Sequence, residues 1–215
     1  MKSRISGLYA VTPDIANTPE LLALAEAALA GGARALQYRN KSAGAALRLV
    51  QGRALVALCW EYQVPLIIND HLELALALDA DGLHLGVEDG SLANARAQLG
   101  PAKILGASCY DRIENAFEAE RLGADYVAFG SFFPSSIKPG AVRAPLTLLQ
   151  EARRRLPVPV LAIGGITPAN APQLLAAGAD GIAVISALFG ADDVKLAARS
   201  FSALFPRREP QSIRP

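Results

Sequence analysis

One short phrase recurs along this chain and constrains its fold more than any other feature. Gly123-Ala124-Asp125-Tyr126-Val127-Ala128-Phe129-Gly130 lines up with Gly178-Ala179-Asp180-Gly181-Ile182-Ala183-Val184-Ile185, and more loosely with Ala80-Asp81-Gly82-Leu83-His84-Leu85-Gly86. Self-similarity of this kind implies one supersecondary unit used several times. Each phrase follows an Ala/Leu-rich stretch and opens an apolar run. Gly123 and Gly178 can take the left-handed conformation that ends a helix without a Cβ clash, so the phrase reads as helix stop, turn of two or three residues, strand start.

Short β-branched runs between turn signals place strands near residues 7–12, 33–39, 65–69, 82–86, 104–108, 126–131, 159–164 and 181–185. Helical stretches lie between them, at 19–30, 44–62, 72–78, 91–99, 113–122, 146–156, 169–177 and 194–204. Leu66-Ile67-Ile68 and Val160-Leu161-Ala162-Ile163 are apolar on both faces, as strands are in a parallel sheet covered by helices. Alternation alone leaves an open α/β sheet in play; the repeat favours closure into an α/β-class (β/α)8 TIM barrel. Such barrels carry their chemistry at the C-terminal ends of the strands, where Arg39, Asp70, Asp89, Ser108, Lys138, Gly165 and Ser186 fall.

The chain has 215 residues, 52% of them hydrophobic, and no linker-like stretch in its middle, so it reads as a single barrel domain over residues 1–205. From Pro206 to Pro215 apolar periodicity is lost, and a disordered tail over 206–215 is expected. Twenty-one basic against twenty acidic residues give a formal charge of +1, which offers no global field for nucleic acid or an anionic membrane. No apolar stretch is long enough for a signal peptide or a membrane span, and Cys59 and Cys109 have neither Cys-x-x-Cys spacing nor a zinc-like pairing. A reduced, cytoplasmic protein is expected, acting on small molecules; a homo-oligomer stays open.

The rim residues divide by chemistry. Ile68-Asn69-Asp70 and His84-Leu85-Gly86-Val87-Glu88-Asp89 each end an apolar run in a carboxylate on neighbouring strands, a pair suited to Mg2+, which takes one or two carboxylates and leaves its other positions to water and phosphate. Taken singly, Asp70 reads equally as a helix cap and Asp89 as the end of a turn. Gln37, Arg39 and Lys41 alternate in Gln37-Tyr38-Arg39-Asn40-Lys41, so a guanidinium and an ammonium face the same way, an arrangement fit for a diphosphate. Gly164-Gly165-Ile166-Thr167-Pro168 and Ile185-Ser186-Ala187 follow the last two strands, where many barrels hold a phosphate on backbone N–H groups. The same glycines also serve a tight turn, with Thr167 capping and Pro168 as the first helical residue. His71 and His84 are assigned no catalytic role, and Cys109 has no histidine partner for a thiol nucleophile.

At these residues the chain resembles the thiamine-phosphate synthase family from about Gly7 to Phe189. The segments that carry the likeness are Gln37-Tyr38-Arg39-Asn40-Lys41, Asn69-Asp70, His84-Leu85-Gly86 ending in Asp89, Gly106-Ala107-Ser108, Gly130 to Lys138, Gly164-Gly165-Ile166 and Ile185-Ser186. The resemblance implies a transferase that joins hydroxymethylpyrimidine diphosphate to a thiazole phosphate with loss of pyrophosphate. It implies that Gln37 holds the pyrimidine; that Arg39, Lys41, Asn69, Ser108 and Lys138 hold the diphosphate; that Asp70 and Asp89 hold Mg2+; and that Ser135, Gly165, Ile185 and Ser186 hold the thiazole phosphate. Arg39, Lys41, Ser108 and Lys138 would carry the catalysis by stabilising the leaving group. Whether the loop 135–143 is a lid stays open; its position beside Lys138, not the resemblance, raises the expectation that it orders over the diphosphate. The chain departs from the family pattern at His71, Val87, Ser135 and Ile137. A thiazole tautomerase-like paralogue and a non-catalytic phosphate-ligand barrel remain as competing readings.

Overall fold

The computed structural model describes residues 5–86, 89–134 and 142–206. Eight parallel strands close on themselves in sequence order: β1 (Gly7–Val11), β2 (Ala35–Tyr38), β3 (Leu66–Asn69), β4 (Gly82–Leu85), β5 (Ile104–Tyr110), β6 (Tyr126–Phe129), β7 (Val160–Ile163) and β8 (Gly181–Val184). The seam between first and last strands pairs Gly7 with Gly181 and Ala10 with Val184. Outside run α1 (Thr18–Ala30), α2 (Ala45–Glu61), α3 (Leu72–Ala77), α4 (Leu92–Leu99), α5 (Ile113–Arg121), α6 (Leu146–Arg155), α7 (Ala171–Ala176), α8 (Ser186–Phe189) and α9 (Val194–Ser202). The expected (β/α)8 barrel is therefore the observed fold, and the eight expected strands and helices each appear with ends shifted by a few residues. The expected tail from residue 207 onward lies outside the described residues.

Strand alternation splits the apolar residues into two cores. Leu8, Leu36, Ile68, Leu83, Val127 and Ile182 point outward beneath the helices. Tyr9, Val11, Ala35, Ile67, Ile104, Tyr126, Ala128, Leu161 and Ala183 fill the interior. Gly106 makes this filling work: a Cβ there would run into the Tyr126 phenol, so its absence lets a tyrosine lie flat across the barrel.

The repeated phrase proves to be a helix exit. Gly123 (φ +89°) donates to Glu120 O and Ala124 to Ala119 O; Gly178 (φ +110°) donates to Leu175 O and Ala179 to Leu174 O. Both are Schellman motifs, which satisfy the last carbonyls of the helix. The aspartate that follows then reaches sideways: Asp81, Asp125 and Asp180 accept from the backbone N–H of Leu66, Leu105 and Val160, the first or second residue of the preceding strand. These ties fix each strand's height relative to its neighbour at the N-terminal end of the barrel.

Three features depart from the expected pattern. Strand β5 runs two residues further than residue 108, because a bulge between Ser108 and Tyr110 (φ +53°) keeps it paired with β6. The four-residue helix α8 was not expected, since Ser186 reads in the sequence as a strand end. In addition, α7 starts at Ala171, not at 169: Thr167 and Asn170 exchange bonds in a turn of their own, so Pro168 precedes the helix.

Candidate active site

The C-terminal ends of the strands open into one cavity of about 470 Å3. Gln37, Arg39, Lys41, Asn69, Asp70, Asp89, Ser108, Gly165, Ile185 and Ser186 all line it, so the structure brings together every described residue the sequence nominated. Ser135 and Lys138 lie outside the described residues, as do Val87, Ile137 and most of the loop 135–143.

The segment after β2 is held rigidly from behind. Asn40, buried, donates to Ile15 O (2.8 Å) and to Gln51 Oε1 (3.1 Å), and accepts from Ser42 Oγ and Ala43 N. Gln51, fully buried on α2, donates in turn to Ile15 O and accepts from Tyr38 Oη. With Asn40 anchored inward, its neighbours Arg39 and Lys41 face the cavity. Asp14, after β1, orients them by accepting from Arg39 Nη1 (3.1 Å) and Lys41 N (2.8 Å).

Opposite these cations stands the carboxylate pair. Asp70 adopts φ +63°, a conformation aspartate tolerates better than most side chains, and it does not cap the next helix: His71 is the N-cap residue of α3. Burial raises the Asp70 carboxyl above its ordinary 3.8, and the Asp89 charge and a hydrogen bond to Asp89 raise it further, with Lys41 pulling the other way from 3.8 Å. Asp89 is turned back by its own backbone, accepting from Gly86 N at 2.9 Å. It therefore ends a turn and lines the cavity at once.

Below the rim, a chain of polar groups crosses the interior. Gln37 Nε2 donates to Tyr9 Oη (3.1 Å), which lies 2.8 Å from Tyr126 Oη; Tyr126 Oη lies 2.9 Å from His84 Nδ1, and His84 Nε2 lies 2.8 Å from Ser108 Oγ. Burial brings His84 down from 6.5 to about 4, so the ring is neutral near pH 7. His84 is thus a buried group of the barrel interior with both ring nitrogens hydrogen-bonded. Burial pushes both cysteine thiols up to about 12, in line with plain buried cysteines.

On the far side, Gly164 (φ +102°) and Gly165 (φ +63°) shape the loop after β7, with Asn170 Nδ2 holding Gly165 O at 3.0 Å. Ile185 and Ser186 present the start of α8 to the same cavity. The first N–H groups of a helix have no intrahelical acceptor and so suit an anion. Tyr9, Tyr110, Tyr126 and Ser131 also line the cavity and were not nominated. For Tyr9 and Tyr126 a signal existed, since each shares strand parity with an inward neighbour. Tyr110 depends on the bulge, which no pattern announces.

The thiamine monophosphate synthase family model matches residues 8–188. The chain is 54% identical over 202 residues to the thiamine-phosphate synthase of Nitrosomonas eutropha, an alignment covering 94% of this chain and 95% of that one. It is 56% identical over 201 residues to the thiamine-phosphate synthase of Methylobacillus flagellatus, covering 94% and 96%. The solved structure of thiamine phosphate pyrophosphorylase from Pyrococcus furiosus aligns with a TM-score of 0.81 at 37% identity, covering 92% of this chain and 94% of that one. This chain belongs to the thiamine monophosphate synthase family.

Proposed function

We propose that this chain is a transferase that condenses hydroxymethylpyrimidine diphosphate with a thiazole phosphate to give thiamine phosphate and pyrophosphate. The observation that carries the reading is one cavity lined by two cations, two carboxylates, a serine and the loop backbone at Gly165 and Ser186. A tautomerase-like paralogue would use only the last of these, and a non-catalytic binder is told apart by binding without product formation.

The carboxylates fit a divalent cation. Asp70 is half-buried beside a like charge that raises it, and Lys41 offsets that crowding only in part. Mg2+ needs only one or two carboxylates, because it leaves its remaining positions to water and phosphate oxygens. Mg2+ held by Asp70 and Asp89 would supply positive charge to the diphosphate leaving group.

The rest follows from the chain's own residues. Gln37 orients the aminopyrimidine; Arg39, Lys41, Asn69 and Ser108, with Lys138, bind the diphosphate oxygens. The C–O bond to the methylene carbon breaks, pyrophosphate leaves with the electron pair, and the cations neutralise the charge that develops on it. The pyrimidine ring stabilises the methylene cation, and the thiazole nitrogen lone pair closes the C–N bond. Gly165, Ile185 and Ser186, with Ser135, fix the thiazole phosphate so that this nitrogen meets the carbon. No general base is required. Among the described residues no helix is long and apolar enough to cross a membrane, and both substrates are small molecules.

The test is product formation from the two substrates with Mg2+ or with a chelator, comparing wild type with Arg39→Ala. Thiamine phosphate made only with Mg2+, and reduced about a hundredfold in the variant, is expected. Folded wild-type protein that binds thiazole phosphate but forms no product would remove the reading.

A further inference from the structure

The polar chain beneath the rim has a direction, and that direction decides what Ser108 offers the ligand. A neutral imidazole and each tyrosine hydroxyl has one proton to donate. Gln37 Nε2 donates to Tyr9 Oη, so Tyr9 is an acceptor in that bond. Were Tyr126 also to donate to Tyr9, the Tyr9 proton would be left without an acceptor on a residue only 2% exposed. Tyr9 therefore donates to Tyr126. Tyr126 then donates to His84 Nδ1, which leaves the ring proton on Nε2, where it is given to Ser108 Oγ at 2.8 Å. The Ser108 hydroxyl, supplied with a donor from below, keeps its own proton for the cavity it lines.

From this geometry we infer that His84 is a positioning residue, held by Tyr126 as the Nε2–H tautomer so that the Ser108 hydroxyl donates into the cavity. The inference rests on the reading of Ser108 as a contact of the diphosphate, and the polarity is the one that reading needs. A diphosphate only accepts hydrogen bonds, so a serine whose proton was engaged by His84 would show it lone pairs. The same polarity leaves the Gln37 carbonyl oxygen free to accept from an exocyclic amine. Amine recognition and leaving-group donation are thus joined through five side chains on β2, β1, β6, β4 and β5. The His84 and Tyr126 rings, stacked with centroids 5.5 Å apart and planes 27° from parallel, hold the central link in register. Reversing the Gln37 amide would reverse every bond in the chain, which makes the tautomer of His84 a direct readout of the whole.

The experiment is 15N NMR of the full chain labelled at histidine, near neutral pH and without ligand, with His84→Gln used to assign the His84 ring against His71. A pyrrole-type Nε2 and a pyridine-type Nδ1 are expected in the wild type, with loss of that preference in Tyr126→Phe. Kinetically, Ser108→Ala is expected to lower kcat about a hundredfold and Tyr126→Phe about tenfold, with little change in KM for the pyrimidine diphosphate. Tyr126→Phe should add nothing on top of Ser108→Ala, because the positioning then has nothing to act on. An Nδ1–H tautomer, an imidazolium, or fully additive losses would overturn the inference, and the wild-type spectrum decides even where Tyr126→Phe fails to fold. The expected tautomer in a wild type that makes no product would count against the synthase reading alone.

Discussion

The two ends of the barrel use aspartate in opposite ways. At the N-terminal end, Asp81, Asp125 and Asp180 each accept a strand N–H at 2.8–2.9 Å, and Asp125 and Asp180 also pair with Arg96 and Arg153. At the C-terminal end, Asp70 and Asp89 face each other, and Asp70 is pushed upward by burial and by its neighbour's charge. The lower aspartates belong to the repeated phrase; the upper ones do not. What recurs along this chain ties strands together, and what serves the cavity occurs once. The difference is one between carboxylates given partners and carboxylates left short of them.

The same substitution at each end should therefore act in opposite directions. Asp70→Asn keeps the side chain's shape and its tolerance of positive φ but removes one of two crowded charges. Activity should fall about a thousandfold, or about 4 kcal/mol, while the metal-free protein melts at the same temperature or higher near pH 7. Asp180→Asn keeps an acceptor for Val160 N but loses the Arg153 ion pair and the stronger bond of a charged acceptor. Stability should drop by about 1 kcal/mol with kcat unchanged. Thermal melts with and without Mg2+, beside initial rates, measure both. Equal destabilisation by the two variants would erase the contrast between the ends.

Acid should sharpen the contrast. His84 lies lower in the folded chain, at about 4, than its ordinary 6.5, so the unfolded chain takes up the proton first. Its contribution to stability is complete above pH 6.5 and is lost as the pH falls through the window from 6.5 to 4, by about 3 kcal/mol in all. Asp70, raised above 3.8, works the other way: protonation favours the fold, so its contribution is present below 3.8 and is lost as the pH rises through its raised value. Urea unfolding of wild type and His84→Gln between pH 7 and 4 should show the wild type losing stability faster. Parallel curves would mean that the His84 ring takes up a proton in place.

Much of this was legible because both the repeat and the rim leave local marks. An apolar run that ends in a charge gives a strand and its cavity-lining residue together, and that is how Arg39 and Asp70 stand out, whereas Ser108 is marked only by its place at a strand end and by the family resemblance. The Tyr9–Tyr126 contact joins residues 117 apart in sequence, and only closure of the barrel brings them together. The Ser108–Tyr110 bulge and the four-residue helix α8 carry no propensity signal, since each is a product of pairing and packing around it. Asp14 could have been noticed as an acid just past the first strand, yet its partner, Arg39, lies 25 residues away.

Helix exits without glycine were also missed, and they supply the smallest test of the comparison. Residues Gln63 (φ +52°) and Asp79 (φ +49°) occupy the position that Gly123 and Gly178 hold elsewhere, with the same paired bonds: Gln63 N to Trp60 O and Val64 N to Cys59 O, Asp79 N to Leu76 O and Ala80 N to Ala75 O. A side chain in that conformation costs about 1–2 kcal/mol, and glycine gives back about 0.5–1 kcal/mol through the freedom of the unfolded chain. Gln63→Gly should therefore stabilise the protein by about 0.5 kcal/mol, a rise of about 1–2 °C in Tm, and leave kcat and KM as they were. Gln63 sits on the approach to β3 at the end opposite the cavity, so a gain in stability with unaltered kinetics is what a purely structural lower end requires. A loss of activity would show that the two ends are mechanically coupled through β3, whose last residues lead into Asp70.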